Sequence, residues 1–168
     1  MLRTALFSPD HTYRYLLTRT WADGPTILWL MLNPSTADEH VDDPTIRRCI
    51  AFSRAWGYGA MTAVNLFALR TPDPGPLRRH QDPIGPENDA HIAAAAARAG
   101  QIIAAWGAFP FAADQGRALD VLLSRSLHCL GCTASGAPRH PLYAPSTARL
   151  RPYRPSGQRG RSVAAAGV

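Results

Sequence analysis

Lysine is absent from this chain, and all 18 of its basic residues are arginine. Without a lysine amine the chain cannot bind phosphate through a P-loop, form a pyridoxal Schiff base, or form an imine with an abasic sugar. These three classes of function are therefore excluded before any motif is considered.

Cysteine is scarce, and long apolar runs are missing. Three cysteines, an odd number, argue against a disulfide framework. Cys129 and Cys132 form a single C-x-x-C pair, whereas a four-ligand zinc or iron–sulfur site normally has two pairs, so we expect packing there and no bound metal. No run of about 18 apolar residues occurs, and the N-terminus lacks a hydrophobic signal core. We expect a cytoplasmic monomer that does not enter membranes.

The net charge of +6 is concentrated at one end of the chain. Five arginines lie in the last twenty residues, which contain no acid: Arg149, Arg151, Arg154, Arg159 and Arg161. Without those five, 13 of the 18 basic residues remain against 12 acidic ones, so the rest of the chain lacks the basicity typical of nucleic-acid-binding proteins. We predict one domain over residues 1–146 and a disordered, arginine-rich tail over 147–168.

Apolar segments alternate with amphipathic ones, which predicts an α/β domain. The pattern indicates strands at 12–21, 26–33, 60–69, 101–107 and 127–131, and helices at 43–57, 86–99 and 114–126. Continuously apolar strands are typical of a parallel sheet covered on both faces. We therefore predict a three-layer α/β/α sandwich with a mostly parallel central sheet, to which the strand at 12–21 adds an antiparallel edge.

Polar residues follow the predicted strands at their carboxyl ends, where open α/β sheets bind ligands. The first buried strand leads into Asn33-Pro34, the second ends at Asn65, the third at Trp106-Gly107, and the fourth leads to a loop over 139–143. Amides, hydroxyls, a histidine and aromatic rings suit a neutral, planar ligand that forms hydrogen bonds.

Four acids follow the first of these strand ends, at Asp38, Glu39, Asp42 and Asp43. One interpretation is a solvated loop in which Asp43 caps the next helix. The other is chemistry by two carboxylates or a divalent metal, in which Asp38 and Asp42 would take part. Asn33-Pro34 is either a simple turn or part of the same site.

Several short stretches are similar to known families. "MLNPSTAD", "DDPTIRRC", "NLFALR", "AAWG" and "RHPLY" together resemble the uncharacterised domain-of-unknown-function family 1643, over roughly residues 5–145. More distantly, "LNPS", "TAVNLFALR", "IIAAWG" and "RHPLYAP" resemble, in order, the four motifs of the uracil-DNA glycosylase superfamily. That likeness implies a uracil-DNA glycosylase-like fold.

The distant resemblance also implies roles for individual residues. Asn33 would position the attacking water, Asn65 would read the base edge, and His140 would stabilise the departing base. Leu142 or Tyr143 would enter the nucleic acid. The predicted catalytic residues are Asn33, His140, Asp38 and Asp42, and the predicted substrate-binding residues are Pro34, Ser35, Asn65, Phe67, Trp106, Gly107, Arg139, Leu142 and Tyr143.

The resemblance implies an enzyme that cleaves an N-glycosidic bond in a nucleic acid or nucleotide without a cofactor. With no lysine for lyase chemistry, it would be monofunctional. The serine that follows His-Pro in that superfamily is missing here, and Asn33 replaces the aspartate of its commonest branch. Both differences favour a nucleotide or a single-stranded or modified nucleic acid over a duplex. A non-catalytic nucleotide-binding or nucleic-acid-binding module and a carboxylate-metal hydrolase are the alternatives.

Overall fold

Seven strands and three α-helices make up the part of the chain that the computed structural model describes, residues 1–155 without the side chains of residues 121 and 122. The strands are β1 (Leu2–Phe7), β2 (Arg14–Thr20), β3 (Thr26–Met31), β4 (Ala60–Asn65), β5 (Gln101–Ala104), β6 (Leu127–Cys129) and β7 (Arg151–Tyr153). The helices are α1 (Pro44–Ala55), α2 (Asn88–Arg98) and α3 (Ala112–Leu123), with 3-10 turns at Gly75–Arg78 and Pro141–Tyr143.

One sheet joins all seven strands in the order β1-β2-β4-β3-β5-β6-β7. The four inner strands β4, β3, β5 and β6 run parallel, while β1, β2 and β7 pair antiparallel with their neighbours. The mixed α/β prediction is confirmed. Within residues 1–155, none of the helices combines the length and the apolar character needed to cross a bilayer.

Helices cover both faces of the sheet. Along β3, Leu28 and Leu30 belong to the core beneath α2 and α3, whereas Ile27, Trp29 and Met31 belong to the core beneath α1. This arrangement explains why β3 reads as a continuous apolar run instead of an alternating one.

The start of α1 follows from its capping residues. Asp43 is the N-cap, and its carboxylate accepts a hydrogen bond from the backbone N–H of Ile46 at 2.8 Å. Pro44 occupies the first helical position, where its missing N–H costs nothing. Ile46, Cys49 and Phe52 then face the sheet, as their spacing predicts.

Both ends of the sheet differ from the prediction. The strand predicted at 12–21 is not an edge, because β1 pairs with its outer side as far as Leu2↔Thr20. The predicted disordered tail is wrong for residues 147–155, because β7 pairs with β6 and Tyr153 is buried against Trp106. The rest of the predicted tail, 156–168, lies outside the described residues.

A β-bulge interrupts β2 near its start. Leu6 pairs with Leu16, but the next residue, Phe7, pairs with Arg14, so Tyr15 is the extra residue. Tyr15 and Leu16 therefore both face the α2 side, where the Tyr15 ring lies 4.9 Å from that of His91. Arg14 faces the α1 side instead.

Candidate functional site

A cavity of about 500 Å³ opens where the parallel strands end, between α1 and the loops that follow β3, β4 and β5. Its position agrees with the general rule for ligand sites in open α/β sheets. The lining residues used below are Arg14, Met31, Asn33, Ser35, Asp43, Thr45, Thr71, Trp106, Gly107, Phe109, His140 and Tyr143.

The cavity brings together some of the residues predicted from the sequence and leaves others apart. Those that line it are Asn33, Ser35, Trp106, Gly107, His140 and Tyr143. Those that do not are Pro34, Asp38, Asp42, Asn65, Phe67, Arg139 and Leu142. Asn33 and His140 thus share one cavity, although 107 positions along the chain separate them.

His140 is held as a neutral imidazole. Its Nδ1 accepts a hydrogen bond from the backbone N–H of Leu142 at 3.3 Å, which places the ring proton on Nε2. Burial lowers the pKa of His140 below its ordinary value, while the charge of Asp43 acts in the opposite direction. Arg48 on α1 fixes the loop by donating to the carbonyls of Pro141 and Ala144, at 3.4 and 2.6 Å. The Nε2–H group is thereby available to a ligand.

Asn33 offers the cavity a hydrogen-bond acceptor, whereas His140 offers a donor. Its amide nitrogen donates to the carbonyls of Thr71 at 2.8 Å and Pro34 at 3.1 Å. Thr71 in turn donates its backbone N–H to the Pro34 carbonyl at 3.0 Å. Because the nitrogen is engaged, Oδ1 is the atom of this side chain that can accept a hydrogen bond in the cavity. The Asn-Pro corner therefore both fastens two loops together and orients an acceptor.

Asp43 is the acid of the predicted cluster that lines the cavity. One of its oxygens caps α1, and the other has no donor within residues 1–155. Burial lowers the pKa of both His140 and Arg14, and the negative charge of Asp43 opposes that lowering at both. The sequence marks Asp43 only as a helix cap.

Asp38 and Asp42, predicted to be catalytic, use their carboxylates elsewhere. Asp42 forms ion pairs with Arg19 at 2.7 Å and Arg3 at 3.1 Å. Asp38 accepts hydrogen bonds from the backbone N–H groups of residues 40 and 41, both at 2.8 Å, and these lower its pKa. These acids hold the loop between β3 and α1 in shape. Across residues 1–155, no three His, Cys, Asp or Glu side chains are arranged to hold a metal ion.

Arg14 lines the cavity but was not predicted from the sequence. Its side chain is almost fully buried, at 2% exposure, and the loss of water lowers its pKa to about 10. Nη1 donates to the Ala37 carbonyl at 2.6 Å, but the buried Nε has no partner in the part of the chain that the structure describes. The sequence signal that could have drawn attention to Arg14 is an arginine between two tyrosines in a predicted strand. The face of the sheet on which Arg14 lies depends on the bulge.

Asn65 is the last residue of β4, at the carboxyl end of the sheet. It is 1% exposed, and neither its amide nitrogen nor its amide oxygen has a hydrogen-bond partner among the described residues. Asn65 pairs in register with Met31 on β3, and β2, which carries Arg14, flanks β4 on its other side. Met31 lines the cavity, so this unsatisfied amide lies beside a lining residue.

The remaining predicted residues take ordinary structural places or lie at the surface. Trp106 packs edge-on against Tyr153 at 5.5 Å. Phe67 is buried on the opposite face of the sheet, 5.1 Å from Phe111. Arg139 is exposed and donates to the Cys132 carbonyl at 3.2 Å. Leu142 and Tyr143 are 45% and 78% exposed, and Tyr143 stands at the rim of the cavity.

Comparison with protein-family models gives a match over residues 14–142 to the family described as "Protein of unknown function (DUF1643)". Comparisons with curated proteins and with solved structures give no match. The matched range contains β2 to β6 and every cavity-lining residue named above except Tyr143.

Proposed function

The chain belongs to the DUF1643 family, proteins of unknown function, and we propose that its cavity binds a nucleobase and cleaves the N-glycosidic bond of a nucleotide or nucleic acid. The resemblance of the four strand-end segments to the uracil-DNA glycosylase superfamily supports this proposal. Three of those segments contribute Asn33, Trp106 and His140 to the cavity.

The size and lining of the cavity suit a base. Small-molecule sites usually measure about 300–1,000 Å³ and combine aromatic walls with a few polar groups. Here Trp106, Phe109 and Tyr143 supply the aromatic surface. The polar groups come from Asn33 and His140, and from the side chains of Ser35, Thr45 and Thr71. A planar heterocycle is bound by both kinds of group, through aromatic surface against its faces and hydrogen bonds at its edge.

The neutral His140 beside Asp43 and Asn33 is the observation that carries the proposal. When an N-glycosidic bond breaks, its electron pair goes to the base, and a donor such as the His140 Nε2–H stabilises the resulting anion. A water molecule adds to the anomeric carbon and loses a proton. The Asn33 Oδ1 can orient that water, and the free oxygen of Asp43 can accept the proton.

Single-turnover cleavage is the direct test. The purified protein is incubated with single-stranded oligonucleotides and nucleotides that carry unmodified, damaged and modified bases, and the released base is quantified. His140→Ala should abolish most of the cleavage, whereas His40→Ala should leave it unchanged because His40 is exposed and lies outside the cavity.

Two results would count against the proposal. Equal cleavage by the wild type and His140→Ala would remove His140 from the mechanism. Binding of a base without release from any substrate would favour the alternative, a non-catalytic nucleobase-binding module.

A further inference from the structure

We infer that Arg14 determines ligand specificity, by binding an anionic oxygen group that the nucleobase ligand carries. The group is a carboxylate on the base or a phosphate on its sugar. The inference rests on the proposed function because it takes the ligand to be a nucleobase or its nucleotide, but it does not depend on bond cleavage.

The state of the Arg14 side chain carries this inference. The guanidinium is buried and lines the cavity, yet it forms no ion pair with any residue from 1 to 155. Among the described residues, the side chain forms one hydrogen bond, to the Ala37 carbonyl, and Nε is unsatisfied. A buried charge is costly unless it is paired and hydrogen-bonded, so an anion in the cavity would supply the missing partner.

Arg19, on the same strand, shows what a structural arginine looks like in this protein. It is as deeply buried as Arg14, but its Nε forms an ion pair with Asp42 at 2.7 Å. Its other nitrogens donate to the carbonyls of Thr18 and Asp38. Both arginines hold the loop between β3 and α1, so that shared role does not explain why Arg14, unlike Arg19, lacks an acid within residues 1–155.

Neighbouring groups favour an anion at this point. The guanidinium offers a planar set of donors that matches the oxygens of a carboxylate or phosphate. Asn65, on the adjacent strand, has an amide nitrogen with no acceptor within residues 1–155. The charges that act on Arg14 are those of Asp43 and Asp38, which raise its pKa, and of Arg70 and Arg19, which lower it. Of the two acids, only Asp43 lines the cavity.

The test compares charged and neutral ligands that share a shape. One pair is carboxyuracil and its carboxamide, and the other is a nucleoside 5′-monophosphate and its nucleoside. Calorimetric titration at pH 7 should show that the charged member of at least one pair binds about 10- to 100-fold more tightly, as expected for hydrogen bonds to a charged group. The pair that shows the difference identifies whether base or sugar carries the anion.

Variants assign the difference to Arg14. Arg14→Met should reduce the ratio within that pair to about 1. Arg14→Lys should retain part of it, because lysine keeps the charge but loses the planar fork. Arg54→Met, at an exposed arginine near the far end of α1, should leave the ratio unchanged. Circular dichroism of each variant confirms that it is folded.

Each result decides between the two proposals. Equal binding within both pairs, or a loss in Arg14→Lys and Arg14→Met that affects charged and neutral ligands alike, overturns the inference about Arg14. If inorganic phosphate binds in an Arg14-dependent way while no base, nucleoside or nucleotide binds, the anion site stands and the nucleobase function is wrong.

Discussion

Replacing Asn65 by leucine should make the ligand-free protein more stable. Leaving a buried polar group unsatisfied costs about 1–3 kcal/mol, and both polar atoms of the Asn65 amide are in that state within the described chain. Leucine has the same branching and the same number of side-chain heavy atoms as asparagine, and would face the core that contains Met31 and Ala63. We expect the free energy of unfolding to rise by about 2 kcal/mol, toward the middle of the range for one such group.

Urea denaturation at 25 °C measures this change. With a slope of about 2 kcal/mol per molar urea, the midpoint should rise by about 1 M while the slope stays constant. The melting temperature should rise by about 4–8 °C, since 1 kcal/mol corresponds to about 2–4 °C in a protein of this size. Ligand binding should weaken in the same variant, because Asn65 is expected to face the ligand.

Asn88 provides a matched control of opposite sign. It is as buried as Asn65 and its amide oxygen also lacks a partner within residues 1–155, but its amide nitrogen donates to the backbone carbonyls of Asn65 and Leu66, at 2.9 and 3.3 Å. Asn88→Leu should therefore lower the free energy of unfolding by about 1–3 kcal/mol. If Asn65→Leu is destabilising by about 1 kcal/mol or more, the amide is satisfied in the ligand-free protein and the reasoning fails.

Four further predictions concern the cavity and its walls. His140→Ala should slow single-turnover cleavage by about 100- to 1,000-fold with little change in ligand affinity, because its donor strengthens only as the base becomes anionic. Burial lowers the pKa of His140, so the unfolded chain binds that proton more readily. The stability associated with the neutral imidazole is present above about pH 6.5 and is lost as the pH falls through the folded-state pKa. In His140→Asn the urea midpoint should therefore vary less between about pH 5 and pH 7.5 than it does in the wild type. Asp43→Ala should lower the free energy of unfolding by about 1 kcal/mol, and Asp43→Asn, which still caps α1, should lower it much less; denaturation curves of the two distinguish a cap from a mere charge. Gly116→Ala should cost about 1–3 kcal/mol by overpacking, since the new Cβ would lie 2.7 Å from Cζ2 of Trp106, and an unchanged melting temperature would contradict this.

The central sheet could be predicted because its signals are local. β3 and β4 are continuous apolar runs, and α1 is marked by its own N-cap and proline. The outer strands lack such signals. β1 alternates exposed and half-buried residues, and β7 contains Pro152, which is tolerated in a strand only at an edge or a bulge. Composition therefore assigned β7 to the tail, whereas its pairing with β6 is a long-range contact.

The candidate site likewise contains residues that local signals predict and residues whose roles depend on long-range contacts. Asn33, Trp106 and His140 could be selected because each follows a predicted strand, and strand ends meet at one edge of a parallel sheet. The roles of Asp42 and Arg14 depend on contacts between distant segments. Asp42 is neutralised by Arg19, 23 residues earlier, and no local pattern in the sequence reports that pairing.

The bulge at Tyr15 bears on how this site could have arisen. In a regular strand ending at Arg19, residues 15, 17 and 19 would share one face, and an arginine at position 14 would point away from the cavity. Without the extra Tyr15, however, Arg14 would come directly before Leu16 and would still face the α1 side, because side chains alternate along a regular strand. The bulge therefore lets the strand take in one additional residue without turning the buried cation away from the cavity. Related chains with or without that residue are expected to keep the arginine on the same face.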